Sequence, residues 1–96
     1  MPAVTRVGDA DVAHCSGMVR AQGSGNVFAN GIPVSRQGDV NTGHLLPGSP
    51  CPSHNAGIAS GSGSVFVNGK GCGRVGDSIS GCTSVAAGSG NVFAGG

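Results

Sequence analysis

The sequence predicts an all-β fold: a small conical domain of three short β-hairpin repeats related by pseudo-threefold symmetry, with adjacent termini. Two recurring signatures carry this expectation. The tetrad Arg-x-Gly-Asp occurs as Arg6-Val7-Gly8-Asp9, Arg36-Gln37-Gly38-Asp39 and Arg74-Val75-Gly76-Asp77. A glycine-rich signature ending in Val-Phe occurs as Gly23-Ser24-Gly25-Asn26-Val27-Phe28, Gly61-Ser62-Gly63-Ser64-Val65-Phe66 and Gly88-Ser89-Gly90-Asn91-Val92-Phe93. Composition agrees with them. Twenty glycines, three aromatic residues that are all Phe, and only one leucine pair, Leu45-Leu46, leave little with which to pack helices. Frequent valine favours short strands between tight turns. Glycine is not arranged in a Gly-X-Y period, and the chain is neither strongly charged nor poor in apolar residues, which argues against a collagen-like or disordered chain.

The repeat elements follow in order. Phe28 to Arg36 and Phe66 to Arg74 both span eight residues, and a fixed spacing is what a hairpin register requires. Each span holds an Asn-Gly pair, Asn30-Gly31 and Asn68-Gly69, the favoured pair for a two-residue turn with positive φ at both positions. The expected hairpins are Val27 to Ala29 with Ile32 to Val34, and Val65 to Val67 with Gly71 to Gly73. The third Val-Phe strand ends near residue 96, whereas the first tetrad has no strand before it. Joining the two ends gives a spacing of nine from Phe93 to Arg6 against eight in the complete units. Residues Ala3 to Arg6 are therefore expected beside Val92 to Ala94, closing the units into a ring or cone. Between aspartate and glycine signature the spacing varies as 14, 22 and 11 residues, so these are the loops. The longest carries three prolines and His54.

Five residues beyond each tetrad aspartate stands a possible metal ligand: His14, His44 and Cys82. Repetition brings equivalent positions together, and His54, the remaining histidine, lies where the long loop can deliver a fourth donor. Three imidazoles and one thiolate suit zinc better than iron. A site with four protein ligands keeps no open position for water and is structural. Its binding energy, about 10 kcal/mol or more near neutral pH, is comparable with the stability of a whole small domain. Such a staple is useful where 96 residues bury a modest core. Of the other cysteines, Cys72 stands where the second unit has Val34 and is expected to be a small buried side chain. Cys15 and Cys51 are candidates to compete for the metal. Disulfides are not expected in a reducing cytoplasm.

Several function classes fit poorly. A net charge of +1 with five scattered basic residues gives no phosphate-binding face, so nucleic acid is not an expected partner. No stretch is long and apolar enough to cross a bilayer as a helix, and the start lacks the order of a signal peptide. The chain is expected to fold in the cytoplasm and to leave, if it does, by a route other than general secretion. A hydrolytic zinc centre needs a general base, yet the chain has no glutamate, and three of its four aspartates belong to the tetrads. Those aspartates are expected to brace turns with the arginine three residues earlier; only Asp11 is spare. An enzyme is not expected.

These features together resemble the PAAR-repeat family. The resemblance is carried by Pro2-Ala3-Val4-Thr5-Arg6-Val7-Gly8-Asp9, by Pro33-Val34-Ser35-Arg36-Gln37-Gly38-Asp39 and by the three-His, one-Cys donor set. Gly71-Cys72-Gly73-Arg74 departs from the family tetrad by lacking its proline. The resemblance implies a zinc-stabilised cone on the end of a trimeric β-helical spike, the VgrG of type VI secretion systems or the central spike of contractile phage tails. It further implies a structural role in piercing a target envelope, transient contact with the target membrane, and passage through the contractile machine after assembly in the cytoplasm. The repeat accounts for residues 1–96, so no toxin or adaptor extension is expected, and effectors would be separate proteins. The alternative is a free-standing zinc-stabilised β-module that binds another protein.

Overall fold

The computed structural model describes residues 2–13, 17–45, 53–80 and 82–95, of which the side chains of residues 44, 45, 53 and 54 lie outside the description. Among the described residues it is all-β, with six two-residue strands in three antiparallel pairs. β1 (Phe28–Ala29) pairs with β2 (Ile32–Pro33), β3 (His44–Leu45) with β4 (Ser53–His54), and β5 (Phe66–Val67) with β6 (Lys70–Gly71). The body measures 38 × 23 × 21 Å.

The two Asn-Gly pairs form the turns predicted for them. Asn30 and Gly31 have φ of 56° and 76°, and Asn68 and Gly69 have 54° and 78°. These are the left-handed values that a type I′ turn requires. Ala29 faces Ile32 and Val67 faces Lys70. The second hairpin thus returns at Lys70, one residue earlier than the expected Gly71, because a two-residue turn leaves no slack. Its outer pair is completed by the Cys72 N–H donating to the Val65 carbonyl at 2.9 Å, as Val34 N–H does to Val27 at 3.1 Å.

A third contact of the same kind joins the two ends of the chain. Val4 N–H donates to the Val92 carbonyl at 2.9 Å and Ala94 N–H to Pro2 at 3.1 Å, with Ala3 bridged to Phe93. Residues near both ends therefore form one antiparallel pairing, as the spacing predicted.

The segments following these pairings interlock in cyclic order. Thr5 N–H donates to the Gly73 carbonyl at 3.0 Å, Gly73 N–H to Ser35 at 2.9 Å, and Ser35 N–H to Thr5 at 3.0 Å. The three peptides close a triangle of hydrogen bonds. The surrounding bridges link the same three segments, Arg6 with Val34, Arg36 with Cys72 and Arg74 with Val4. Gly73 sits where no side chain fits, since a Cβ there would lie 2.7 Å from the Ser35 carbonyl oxygen and 2.8 Å from Ile58 Cδ1. Beside the triangle, Thr5 and Ser35 bury their hydroxyls without a hydrogen-bond partner among the described residues.

Among the described residues, two apolar clusters occupy the interior. One holds Val4, Val34 and Cys72 with Ala29, Val67 and Ala94, equivalent residues taken from each pairing. The other holds Ile58, Ile79 and Val85 with Cys82 packed against it. Cys72 is 2 % exposed and does what Val4 and Val34 do in the other segments.

Each tetrad is a clamp. The aspartate carboxylate of Asp9, Asp39 or Asp77 accepts from the backbone N–H and from the guanidinium of the arginine three residues earlier, at 2.8–3.2 Å. That hydrogen bond raises the pKa of Arg6, Arg36 and Arg74 above the ordinary arginine value. The free guanidinium nitrogen of each arginine reaches a neighbouring turn: Arg6 to Asn30, Arg36 to Asn68, and Arg74 to the carbonyl of Gly95. Gly95 thus occupies the turn position that asparagine holds in the other two hairpins.

A circular permutant tests this closure. Deleting Met1 and joining Gly96 to Pro2 makes Gly95-Gly96 a two-residue turn in the register of Asn30-Gly31, and opening the chain between Asn68 and Gly69 moves the break to an exposed turn. The expected result is cooperative thermal unfolding within about 8 °C of the parent, the shift that 1 kcal/mol produces in a small domain. Loss of cooperative unfolding would show that the terminal pairing is not equivalent to the two hairpins.

Candidate metal centre

β3 and β4 place two of the four predicted ligands together. His44 is the direct antiparallel partner of His54, with Leu45 opposite Ser53. Residues directly opposite on an antiparallel pair have Cβ atoms about 4.5–5.5 Å apart and share one face. The two strands that carry these histidines pair antiparallel, which sequence spacing did not reveal. His14, Cys15 and Cys51 lie outside the described residues.

Cys82 enters from the third segment. A tight turn, with its N–H donating to the Ile79 carbonyl at 3.0 Å, carries it back against Ile58, Ile79 and Val85. Burial pushes its thiol above the ordinary cysteine value, while the side-chain amide of Asn41 and the backbone N–H of Thr83 favour the thiolate and pull it down. Among the described side chains no three of His, Cys, Asp or Glu converge on one point. Cys82 is the one predicted ligand whose side chain belongs to that description.

Beside Cys82 lies a polar cluster that was not expected. Arg20 and Asp11 form a fully buried ion pair at 2.9 Å. Asn41 Nδ2 donates to the same Asp11 oxygen at 3.0 Å, and Arg20 also donates to the Asp39 carbonyl at 3.0 Å. The backbone shows what is unusual here. Arg20, Ile58 and Val85 make the same hydrogen bonds to their tetrads, donating to Asp9, Asp39 and Asp77 and accepting from Gly8, Gly38 and Gly76. Asp11, Asn41 and Ile79 are likewise equivalent, each two residues past a tetrad aspartate. Polar side chains thus fill positions that are apolar elsewhere in the same frame. A signal was present: Arg20, Ile58 and Val85 each precede a glycine signature by three residues, which aligns an arginine with two aliphatic residues.

At the far hairpins the surface is apolar. Phe28, Phe66 and Phe93 are 54 %, 61 % and 49 % exposed, and Val27 and Val65 are exposed beside them. Next to Phe66, a surface groove of about 460 Å³ is lined by Gln37, Ile58, Lys70 and Ser80 among others. Comparison with known proteins gives no matching family model and no matching curated protein.

Cys72 allows a pH test that separates core cysteine from ligand. Burial raises its pKa, so the folded chain keeps the proton at pH values where the unfolded thiol, near 8.5, has lost it. Its contribution is intact below that pH and falls as pH rises through the alkaline range. Cys72→Val should flatten the decline in urea midpoint between about pH 8 and pH 10 and leave metal content unchanged. An unchanged decline would place the alkaline sensitivity elsewhere.

Proposed function

We propose that this chain is the tip of the spike of a contractile injection machine, a three-repeat, zinc-stabilised cone of the PAAR type. One observation carries the reading: large aromatic side chains are exposed at three equivalent positions of a cyclic frame. Equivalent positions in such a frame lie at one level around a common axis. A homotrimer that ends in a flat β-helical face presents three copies of each surface, and a monomer that repeats itself three times can satisfy all of them. Docking would cover the phenylalanines and cap the open strand edges of the spike. Effectors would travel as separate proteins on the tip or spike. Assembly would take place in the cytoplasm, before the machine carries the tip outward.

At the opposite end, His14, His44, His54 and Cys82 would hold one zinc ion. The direct antiparallel pairing of His44 with His54 supports the fit. When bound, zinc supplies cross-linking energy to loops with too few side chains for a core. Burial raises the pKa of Cys82, with Asn41 and the Thr83 N–H offsetting part of that rise, and β3 and β4 hold two histidine positions side by side. Four protein ligands leave no site for a reacting water, so the role is mechanical and not catalytic.

Native mass spectrometry tests the metal: the parent should carry one zinc and Cys82→Ala none, and retention of zinc by the variant would refute the ligand set. Titration against a trimeric β-helical spike fragment tests the docking. One chain should bind per trimer, and Phe28→Ser, Phe66→Ser and Phe93→Ser should weaken binding to similar extents. Exposed aromatic anchors contribute about 1–2 kcal/mol or more each, so the triple variant should lose at least about 100-fold in affinity. Absence of any association would favour instead a free-standing zinc-stabilised module.

A further inference from the structure

Each aspartate of the chain is taken by an arginine: Asp9 by Arg6, Asp11 by Arg20, Asp39 by Arg36 and Asp77 by Arg74, with no aspartate side chain more than 14 % exposed. The sequence has five basic and four acidic residues, so one cation is left over. It is Lys70, exposed on β6 and without a side-chain partner among the described residues. Lys70 lines the groove of about 460 Å³ beside Phe66, together with Gln37 and Gly71. At this groove the second hairpin departs from its counterparts at three positions. Pro33 stands opposite Phe28 and Ala3 opposite Phe93, whereas Phe66 faces Gly71, which has no side chain to fill the space. A Cβ on Gly71 would lie 2.8 Å from the Ser62 carbonyl oxygen, so a larger residue does not fit there without a shift. Lys70 precedes its tetrad by four residues, where Pro2 and Ile32 precede theirs. Gln37 follows its tetrad arginine where Val7 and Val75 follow theirs. Its Nε2 donates to the Ala59 carbonyl at 3.1 Å, and its Oε1 has no partner among the described residues.

An aromatic wall, a lone cation and a free acceptor are the parts that hold an acidic peptide, and the volume is that of a binding pocket. We infer that this groove is a docking site for an acidic segment of a partner protein. An apolar side chain of the segment would rest against Phe66, a neighbouring carboxylate on the Lys70 ammonium, and a peptide N–H on Gln37 Oε1. Charge argues against other occupants. A second copy of this chain has no free side-chain carboxylate to bring to Lys70, since its aspartates are all held by arginines. Anionic membranes and nucleic acid are held by clusters of basic residues, and here a single lysine stands alone. The site goes beyond the docking proposed above because it breaks the threefold frame: a chain with three like faces for a trimer offers this partner one place.

Selection of a random-peptide display library on the immobilised chain tests the site. Selected peptides should carry aspartate or glutamate beside a large apolar residue and bind one to one in calorimetric titration. Lys70→Glu should bind them about 10-fold more weakly, with the difference shrinking at high salt. Phe66→Ser should lose about 10-fold or more. Lys70→Ile and Gln37→Val restore residues that the counterpart units carry, so the fold accommodates them; both should unfold cooperatively and bind more weakly. Phe28→Ser removes an equivalent phenylalanine away from the groove and should bind as the parent does. Spike docking, by contrast, calls for similar losses at all three phenylalanines, so the two readings fail separately. A library that yields no binder, selected peptides without acidic residues, or equal binding by Lys70→Glu and the parent would overturn the inference. Binding to phosphatidylserine vesicles that Lys70→Glu abolishes, with no peptide selected, would overturn it in favour of a lipid surface.

Discussion

The triangle of hydrogen bonds among Thr5, Ser35 and Gly73 is the constraint to which the other elements conform. Each peptide in it both donates and accepts within the ring, so three distant parts of the chain are satisfied only in each other's presence. No two of them make a stable unit alone. Strands of two residues bury too little surface to persist separately, and here they are held because each feeds the ring. Close approach at the centre explains why the third member is glycine. Its neighbours fill the volume that a side chain would need, with Ile58 reaching in from the next layer.

Around this centre, the arginine–aspartate clamps convert a local motif into a long-range one. The carboxylate organises its own tight turn, and the arginine it orients then takes hold of the next hairpin through Asn30, Asn68 or Gly95. Polar contact therefore runs around the outside as well, with its donors pointing the opposite way round from those of the backbone triangle inside. An apolar core of small residues, Val4, Val34, Cys72 and three alanine or valine side chains, suffices because hydrogen bonding carries so much of the specificity.

Much of this was legible in the sequence because it depends on short spacings. The Asn-Gly turns, the tetrad clamps, the terminal pairing and the valine-like role of Cys72 all follow from residues within ten positions of one another or from equivalence between units. The start of the second return strand was misplaced by one residue, though the offset that equates Cys72 with Val34 also equates Lys70 with Ile32. The β3–β4 hairpin was not legible. Its strands flank a proline-bearing loop of no fixed spacing, and only the fold shows His44 opposite His54. Nor did the sequence reading find the buried cluster, since Arg20 and Asp11 look like ordinary surface charges until their apolar counterparts Ile58, Val85 and Ile79 are set beside them. Of the predicted ligands, Cys82 is described with its side chain and the two paired histidines by their backbones.

That cluster also bears on how the chain finds its fold. Three similar segments invite mistakes, because any one of them offers nearly the same backbone hydrogen bonds as its neighbours and a swapped arrangement would look almost as good. Seating Arg20 anywhere but beside Asp11 leaves a charge stranded in an oily layer, a penalty of about 3–5 kcal/mol. Ambiguity of threading is thereby removed at one level of the molecule, and the chain can be internally repetitive while still having a single correct order of assembly.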